Sequence, residues 1–249
     1  MRHLHALFLC GLVSLSVVAR AQDHRDAPEL EEGYVSLFDG KTLEGWDGDP
    51  KLWTVVDGAI TGTSSDEAPL THNQFLIWKS EVADFALRLE FRVDDRGVGN
   101  SGIQYRSRRH PDVDKWVVGG YQADIDRSNR YMGILYEERG RGILAERGQK
   151  VVVRPVEEPA AGTKPYVVDV VGSVGDPAEI VADVKPGEWV AYEIVAQGNR
   201  LVHKVAGRTT VEVVDEDSAR SAARGVLALQ LHQGPAMRIQ FRRIRLKTL

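Results

Sequence analysis

Leu87-Arg88-Leu89-Glu90-Phe91-Arg92 alternates apolar and charged side chains without a break. Only a β-strand gives such a segment one dry face and one wet face, because its successive side chains point to opposite sides. The same period of two runs through Gly102-Ile103-Gln104-Tyr105-Arg106, Tyr121-Gln122-Ala123-Asp124-Ile125-Asp126 and Leu229-Gln230-Leu231-His232. Further short β-branched and aromatic runs lie at Tyr34 to Phe38, Trp53 to Val56, Ala59 to Thr63, Gln74 to Trp78 and Gly133 to Tyr136. Others follow at Glu188 to Ala196, Leu201 to Val205, Thr209 to Val213 and Met237 to Leu246. Asp57-Gly58 and Gly198-Asn199 fall between such runs as hairpin turns. Helical periodicity is confined to the short, charged Glu216 to Arg224. No repeat of solenoid or propeller length is present. The pattern predicts an all-β sandwich of two antiparallel sheets. Arg154 to Pro186 is a proline-rich and glycine-rich excursion with one strand, Tyr166 to Val171.

The N-terminus predicts an address. Met1-Arg2-His3-Leu4-His5 is basic, Ala6 to Val18 is apolar, and Ala19-Arg20-Ala21 has the small-x-small form of a cleavage site. Residues 1–21 read as a signal peptide cut after Ala21, and the chain as exported, periplasmic or extracellular. The apolar run is too short for a membrane span and no second one is longer. Leu9 ahead of Cys10 does not suit a lipid anchor. Residues 22–32 read as a flexible leader and 33–249 as a single domain. Cys10 is the only cysteine, so the mature chain relies on its core without disulfides. The formal charge is −4, and no clustered basic surface of the kind that binds nucleic acid is apparent.

Four strands carry polar faces rich in Gln, Asp, His and Arg: Arg88/Glu90/Arg92, Gln104/Arg106, Gln122/Asp124/Asp126 and Gln230/His232. Those side chains hydrogen-bond sugar hydroxyls well, which predicts a saccharide-binding sheet face. The glycine in Asn100-Ser101-Gly102 removes bulk where a ligand would approach.

Gly33-Tyr34-Val35-Ser36-Leu37-Phe38-Asp39-Gly40-Lys41-Thr42-Leu43 with Gly45-Trp46 resembles the opening of the 3-keto-disaccharide hydrolase family. Asn100-Ser101-Gly102 with Tyr105-Arg106-Ser107, Gly187-Glu188-Trp189, His203-Lys204 and Leu229-Gln230-Leu231-His232 with Gly234-Pro235 resemble later blocks in collinear order. The resemblance implies a jelly roll of the concanavalin A type with its ligand on the concave sheet, export, and sugars already oxidised to a ketone at carbon 3. This chain departs from many relatives at Val190, at Ala206-Gly207 and at Gln122, where relatives carry a glutamate early in the strand.

Glycosidases that use two carboxylates on one strand would need that glutamate; the amide of Gln122 neither attacks carbon 1 nor donates a proton at neutral pH. A 3-keto sugar needs less. The ketone acidifies the carbon 2 proton, so one base, one group holding the enolate oxygen and one acid for the leaving oxygen suffice. His232 is the candidate base or acid, with Asp124 or Glu90 as partner carboxylate, unless these carboxylates are ion-paired to neighbouring arginines. Gln104, Arg106, Gln122, Asp126, Tyr136, Glu137 and Gln230 are candidate substrate-binding residues, Tyr136 and Glu137 from an overhanging loop. The sequence requires no cofactor; a divalent metal on Glu90, Asp124 and His232 is open, with no ligand-spacing motif behind it. A non-catalytic, lectin-like carbohydrate-binding module is the alternative, with Trp46, Trp78 and Trp116 as platforms.

Overall fold

A computed structural model describes residues 31–94 and 99–249. Residues 1–30, which hold the segment read as a signal peptide and most of the one read as a leader, and residues 95–98 lie outside the described residues. The chain enters through β1 (Val35–Ser36), β2 (Trp46–Asp47), β3 (Trp53–Val56), β4 (Ala59–Thr63) and β5 (Gln74–Val82). It continues through β6 (Phe85–Val93), β7 (Asn100–Arg109), β8 (Val118–Asp126), β9 (Leu135–Glu138) and β10 (Gly142–Ala145). Next come β11 (Gln149–Pro155), β12 (Tyr166–Ser173) and one helical turn, α1 (Pro177–Ile180). The last strands are β13 (Val190–Gln197), β14 (Arg200–Val205), β15 (Arg208–Asp215), β16 (Gly225–Leu231) and β17 (Arg238–Thr248).

Two sheets result, as the alternation predicts. One runs β12-β11-β15-β14-β13-β6-β17-β4-β3, with β1 beside β17; the other runs β10-β9-β8-β7-β16-β5-β2. All pairings are antiparallel except β11 with β15. The Asp57-Gly58 turn joins Val56 to its partner Ala59 with both turn residues at positive φ, 50° and 72°. One expectation fails. Glu216 to Arg224 forms turns, and the helical turn is instead Pro177–Ile180, where Asp176 accepts hydrogen bonds from the Ala178 and Glu179 amides and Pro177 fits the first position. Glu31, counted in the leader, is tied to Arg88 and receives the Tyr34 amide. No described helix is long and apolar enough to cross a membrane.

The dry face of β6 (Leu87, Leu89 and Phe91) is buried between the sheets, and its wet face is stitched to neighbouring strands. Arg88 binds Glu193 at 2.6 Å and Glu90 binds Arg242 at 2.6 Å and Arg243 at 2.8 Å. The guanidinium groups of Arg92 and Arg242 lie over the Trp189 ring. The core also has a polar seam. Tyr105 stacks on Tyr121 with centroids 5.5 Å apart and bonds buried His203 at 2.8 Å, whose imidazole burial pushes down to about 3. Tyr121 donates to Asp215, which also holds buried Arg141 at 2.6 Å; Arg141 reaches Glu137 at 2.6 Å and Asp217 at 3.6 Å.

That cluster locks β8, β9 and β15 together through the turn that carries Arg141. Removing its cation leaves buried carboxylates facing one another. Arg141→Ala is therefore expected to lower stability by about 3–5 kcal/mol, whereas Arg154→Ala, which breaks exposed pairs, costs under about 1 kcal/mol; urea unfolding of both variants checks the contrast.

Candidate functional site

The seven-stranded sheet turns Gly102 and Gln104 of β7, Gln122 and Asp124 of β8, and Tyr136 and Glu138 of β9 to its concave side, the paired register setting Gln104 against Gln122, Gly102 against Asp124 and Gln122 against Tyr136. Gln230 arrives from β16, and His232 follows directly after that strand. Together with Asn73, Asn100, Tyr131, Gln122, Asp124, Tyr136 and Glu138 they line a cavity of about 390 Å³, within the usual range of small-ligand sites.

Gln122 is the centre of its floor. Its side-chain oxygen accepts from Gln104 Nε2 at 2.7 Å and from Gln230 Nε2 at 2.8 Å, which leaves its own Nε2 pointed at Asp124 Oδ1, to which it donates. Ser107 fixes the far end by donating to Gln104 Oε1 at 2.7 Å. Gly102 makes the arrangement possible: a Cβ there would stand 2.5 Å from Gln122 Cγ and Cδ. The glycine therefore makes room for Gln122, not for a ligand as the sequence suggested. Gln230 Oε1 is buried without a hydrogen-bond partner among the described residues, an acceptor suited to a sugar hydroxyl.

Burial dominates the electrostatics. It pushes the Asp124 carboxyl up to about 8, with Asp126 and Glu138 adding repulsion and the Gln122 N–H acting the other way. Glu138 and the Tyr136 phenol are raised by the same desolvation. His232 is lowered by burial, opposed by a backbone hydrogen bond at Gln233 and by the charge of Asp126. Both shifts favour the uncharged forms, the carboxylic acid at Asp124 and the imidazole at His232.

The structure gathers Gln122, Asp124, Gln230 and His232 as the alternation predicts, sets Tyr136 beside them on strand β9 where an overhanging loop was expected, and removes five residues from the wall. Gln104 is fully buried beneath the floor and holds Gln122. Arg106 has φ 47° at a bulge, which turns its guanidinium away to the end of the sandwich, where it donates to Asp84 and to the carbonyls of Ala83, Gly198 and Ala222. Asp126 accepts from the Ser128 amide and hydroxyl and the Tyr131 amide, so it orders the loop that carries Tyr131. Glu137 faces Arg141 inside the core, and Glu90 lies on the outer face of the other sheet. The proposed metal set of Glu90, Asp124 and His232 therefore does not come together, and no group of three or more His, Cys, Asp or Glu among the described residues is placed to hold a metal ion. The tryptophans do not line the cavity: Trp46 is buried edge-on to Trp78 and donates to the Leu37 carbonyl, while Trp116 donates to Asp47.

Glu138, Asn73 and Tyr131 are among the lining residues that the sequence did not single out. Glu138 shares its face with Tyr136 two residues earlier, so parity alone marks it over Glu137. Asn73 hydrogen-bonds Glu138 at 3.3–3.4 Å and the Gln233 amide at 2.9 Å, contacts that only the long-range pairing of β5 with β16 creates. Tyr131 is brought in by the Asp126 turn.

Residues 33–247 match the profile of a family described as 3-keto-alpha-glucoside-1,2-lyase-like domains. A 3-keto-disaccharide hydrolase of Bacteroides thetaiotaomicron is 35% identical over 109 residues, which make up 41% of this chain and 37% of that protein, so the match spans well under half of the relative's length. Among solved structures, a proposed glycosyl hydrolase of Parabacteroides distasonis superposes with a TM-score of 0.55 at 19% identity, over 87% of this chain and 99% of the other. The carbohydrate-binding module CBM66 of Bacillus subtilis superposes at 0.50 and 14% identity, over 82% and 96%. At these identities the likeness to both structures is one of fold.

The raised Asp124 makes stability depend on pH. An unfolded carboxyl titrates near 3.8 and the folded one near 8, so the native state holds the extra proton between these values and stability falls as pH rises through the window. Asp124→Asn is expected to flatten that fall and to melt above the wild type at pH 8. Melting curves from pH 4 to pH 9 decide; a wild-type slope retained in the variant would give Asp124 an ordinary carboxyl.

Proposed function

The chain belongs to the family of 3-keto-alpha-glucoside-1,2-lyase-like domains, and on that premise we propose that it cleaves 3-keto-glycosides and 3-keto-disaccharides at the glycosidic bond by elimination followed by hydration. One observation carries the reading: the imidazole of His232 and the carboxyl of Asp124 share one walled cavity with a buried amide oxygen in need of a donor.

In this mechanism His232 takes the proton from carbon 2 of the bound keto sugar, and the electron pair left behind conjugates into the carbon 3 carbonyl as an enolate. The Tyr136 hydroxyl, kept protonated by its raised pKa, donates to the enolate oxygen. The carbonyl re-forms, a double bond closes between carbons 1 and 2, and the bond from carbon 1 to the glycosidic oxygen breaks with its electrons on oxygen, which takes the proton of Asp124. Water then adds its oxygen to carbon 1, carbon 2 regains a proton from His232, and the water's remaining proton restores Asp124. Net hydrolysis results. Gln230 Oε1 and the amides of Asn73 and Asn100 hold hydroxyls of the ring. Gln122 fits this division of labour, since a second carboxylate beside Asp124 is not required and its N–H orients the acid.

Export of the chain belongs to the same proposal, supported by the basic, apolar and small-residue pattern of residues 1–21. N-terminal sequencing of the protein recovered outside the cytoplasm should begin at Gln22; recovery of an intact Met1 would contradict it.

Incubation with 3-keto-trehalose or a 3-keto-glucoside beside the unoxidised parent should release sugar from the keto form alone, and release from the parents alone would overturn the assignment. In deuterated water the product should carry deuterium at carbon 2, a label that direct hydrolysis would not install. His232→Ala and Asp124→Asn should each lower kcat/KM by about 10²–10⁴. The wild-type profile should hold its activity below pH 6.5, because the imidazole titrates under its ordinary value, and fall above about pH 8 as Asp124 loses its proton.

A further inference from the structure

A second concavity of about 1030 Å³ runs along the same sheet and meets the cavity across Glu138, which lines both. Its carboxylates are largely engaged: Glu137 with Arg141, Glu81 with Arg224 at 3.1 Å, and Glu138 with Asn73. Most of its arginines are engaged as well, and two are not. Arg108 and Arg139 are exposed in the groove, and neither forms an ion pair with a carboxylate among the described residues, in contrast to Arg109, which binds Asp47 at 2.9 Å. Both lie beside Gly119, which pairs with Arg108 across β7 and β8. A Cβ on Gly119 would stand 2.9 Å from His110 Nε2 and 3.1 Å from Arg139 Cβ, so the bare backbone of β8 lets the imidazole and the arginine settle against each other. Both guanidinium charges act on His110, whose imidazole is lowered by burial and further by Arg108 and Arg139. Arg139 holds φ 56°, a left-handed backbone that glycine or asparagine adopts more readily, in a turn where Gly140 stands next to it. The chain thus spends a strained position on aiming a cation into the groove.

We propose that Arg108 and Arg139 form a leaving-group subsite that binds an anionic oxyacid, a carboxylate or a sulfonate, on the aglycone or second sugar of the substrate. The inference rests on the reading of the adjacent cavity as the place where the keto sugar is cleaved. The groove begins at Glu138, which also lines that cavity, so a leaving group directed past Glu138 enters it. Two guanidinium groups without carboxylate partners pair with such an anion through charge-assisted hydrogen bonds.

The test compares 3-keto forms of phenyl, 4-carboxyphenyl and 4-sulfophenyl glucoside at low salt. The wild type should favour the anionic substrates by about five- to tenfold in kcat/KM, an advantage that 0.5 M salt erodes. The Arg108→Ala/Arg139→Ala variant should lose the advantage and keep its rate on the phenyl substrate. Calorimetric titration of the three unoxidised glucosides reads the subsite without turnover. Anion-preferring binding that the double variant loses, beside inert keto substrates, would discard the proposed reaction and keep the subsite. Equal affinity for the three glucosides, equal rates in the wild type, or a preference that survives in the double variant would overturn the subsite while leaving the reaction standing.

Discussion

Everything on the concave face depends on how one amide divides its hydrogen bonds. Gln122 has an acceptor and a donor end, and the sheet fixes which end points where. Gln104 and Gln230, on the strands β7 and β16 to one side, both deliver N–H groups to its oxygen. The nitrogen must then face Asp124. A glutamate in its place would present an acceptor to an acceptor, at a point where Asp124 already feels Asp126 and Glu138. The amide at this position thus spares Asp124 a third carboxylate neighbour, and the two amides beneath it hold the Gln122 N–H toward Asp124.

Behind the floor the same strands carry charge of the opposite kind of use. Side chains alternate, so β8 offers Asp124 to the cavity and Tyr121 to the core, and β9 offers Glu138 to the cavity and Glu137 to the core. The core-facing members join Asp215 and Arg141 in a buried network that locks the edge of the seven-stranded sheet to β15 of the other. Buried ion pairs add little to stability over an apolar packing, but they tolerate few alternative registers. A one-residue slip of β9 would exchange Glu137 and Glu138, putting a carboxylate meant for Arg141 into the cavity.

Much of this was legible in the sequence, and the exceptions have physical causes. The apolar runs on either side of Asp57-Gly58 gave β3 and β4 their observed limits, and the alternation of Leu87 to Arg92 placed β6, because a half-buried strand must alternate. It placed Gln122, Asp124 and Gln230 on one face for the same reason. It could not tell Glu90 from Asp124, since the two occupy identical patterns and only pairing decides which sheet a strand joins. Arg106 was misread because the period of two assumes no bulge, and nothing in the residues around an arginine announces a positive φ. The parallel pairing of β11 with β15 and the approach of Asn73 to Glu138 arise from contacts between segments far apart in the chain, which no local pattern encodes.

The bulge at Arg106 has a mechanical side. One side chain leaving β7 grips Ala83 between β5 and β6, Gly198 between β13 and β14, and Ala222 ahead of β16. Gly120 and Gly225 leave the clearance this needs, a Cβ on Gly225 falling 2.5 Å from the Arg106 carbonyl carbon. Loops from both layers are thereby pinned to the strand that underlies the cavity floor. They share one fate in any partial opening of the fold, and the end of the sandwich that carries the basic groove behaves as one cooperative unit.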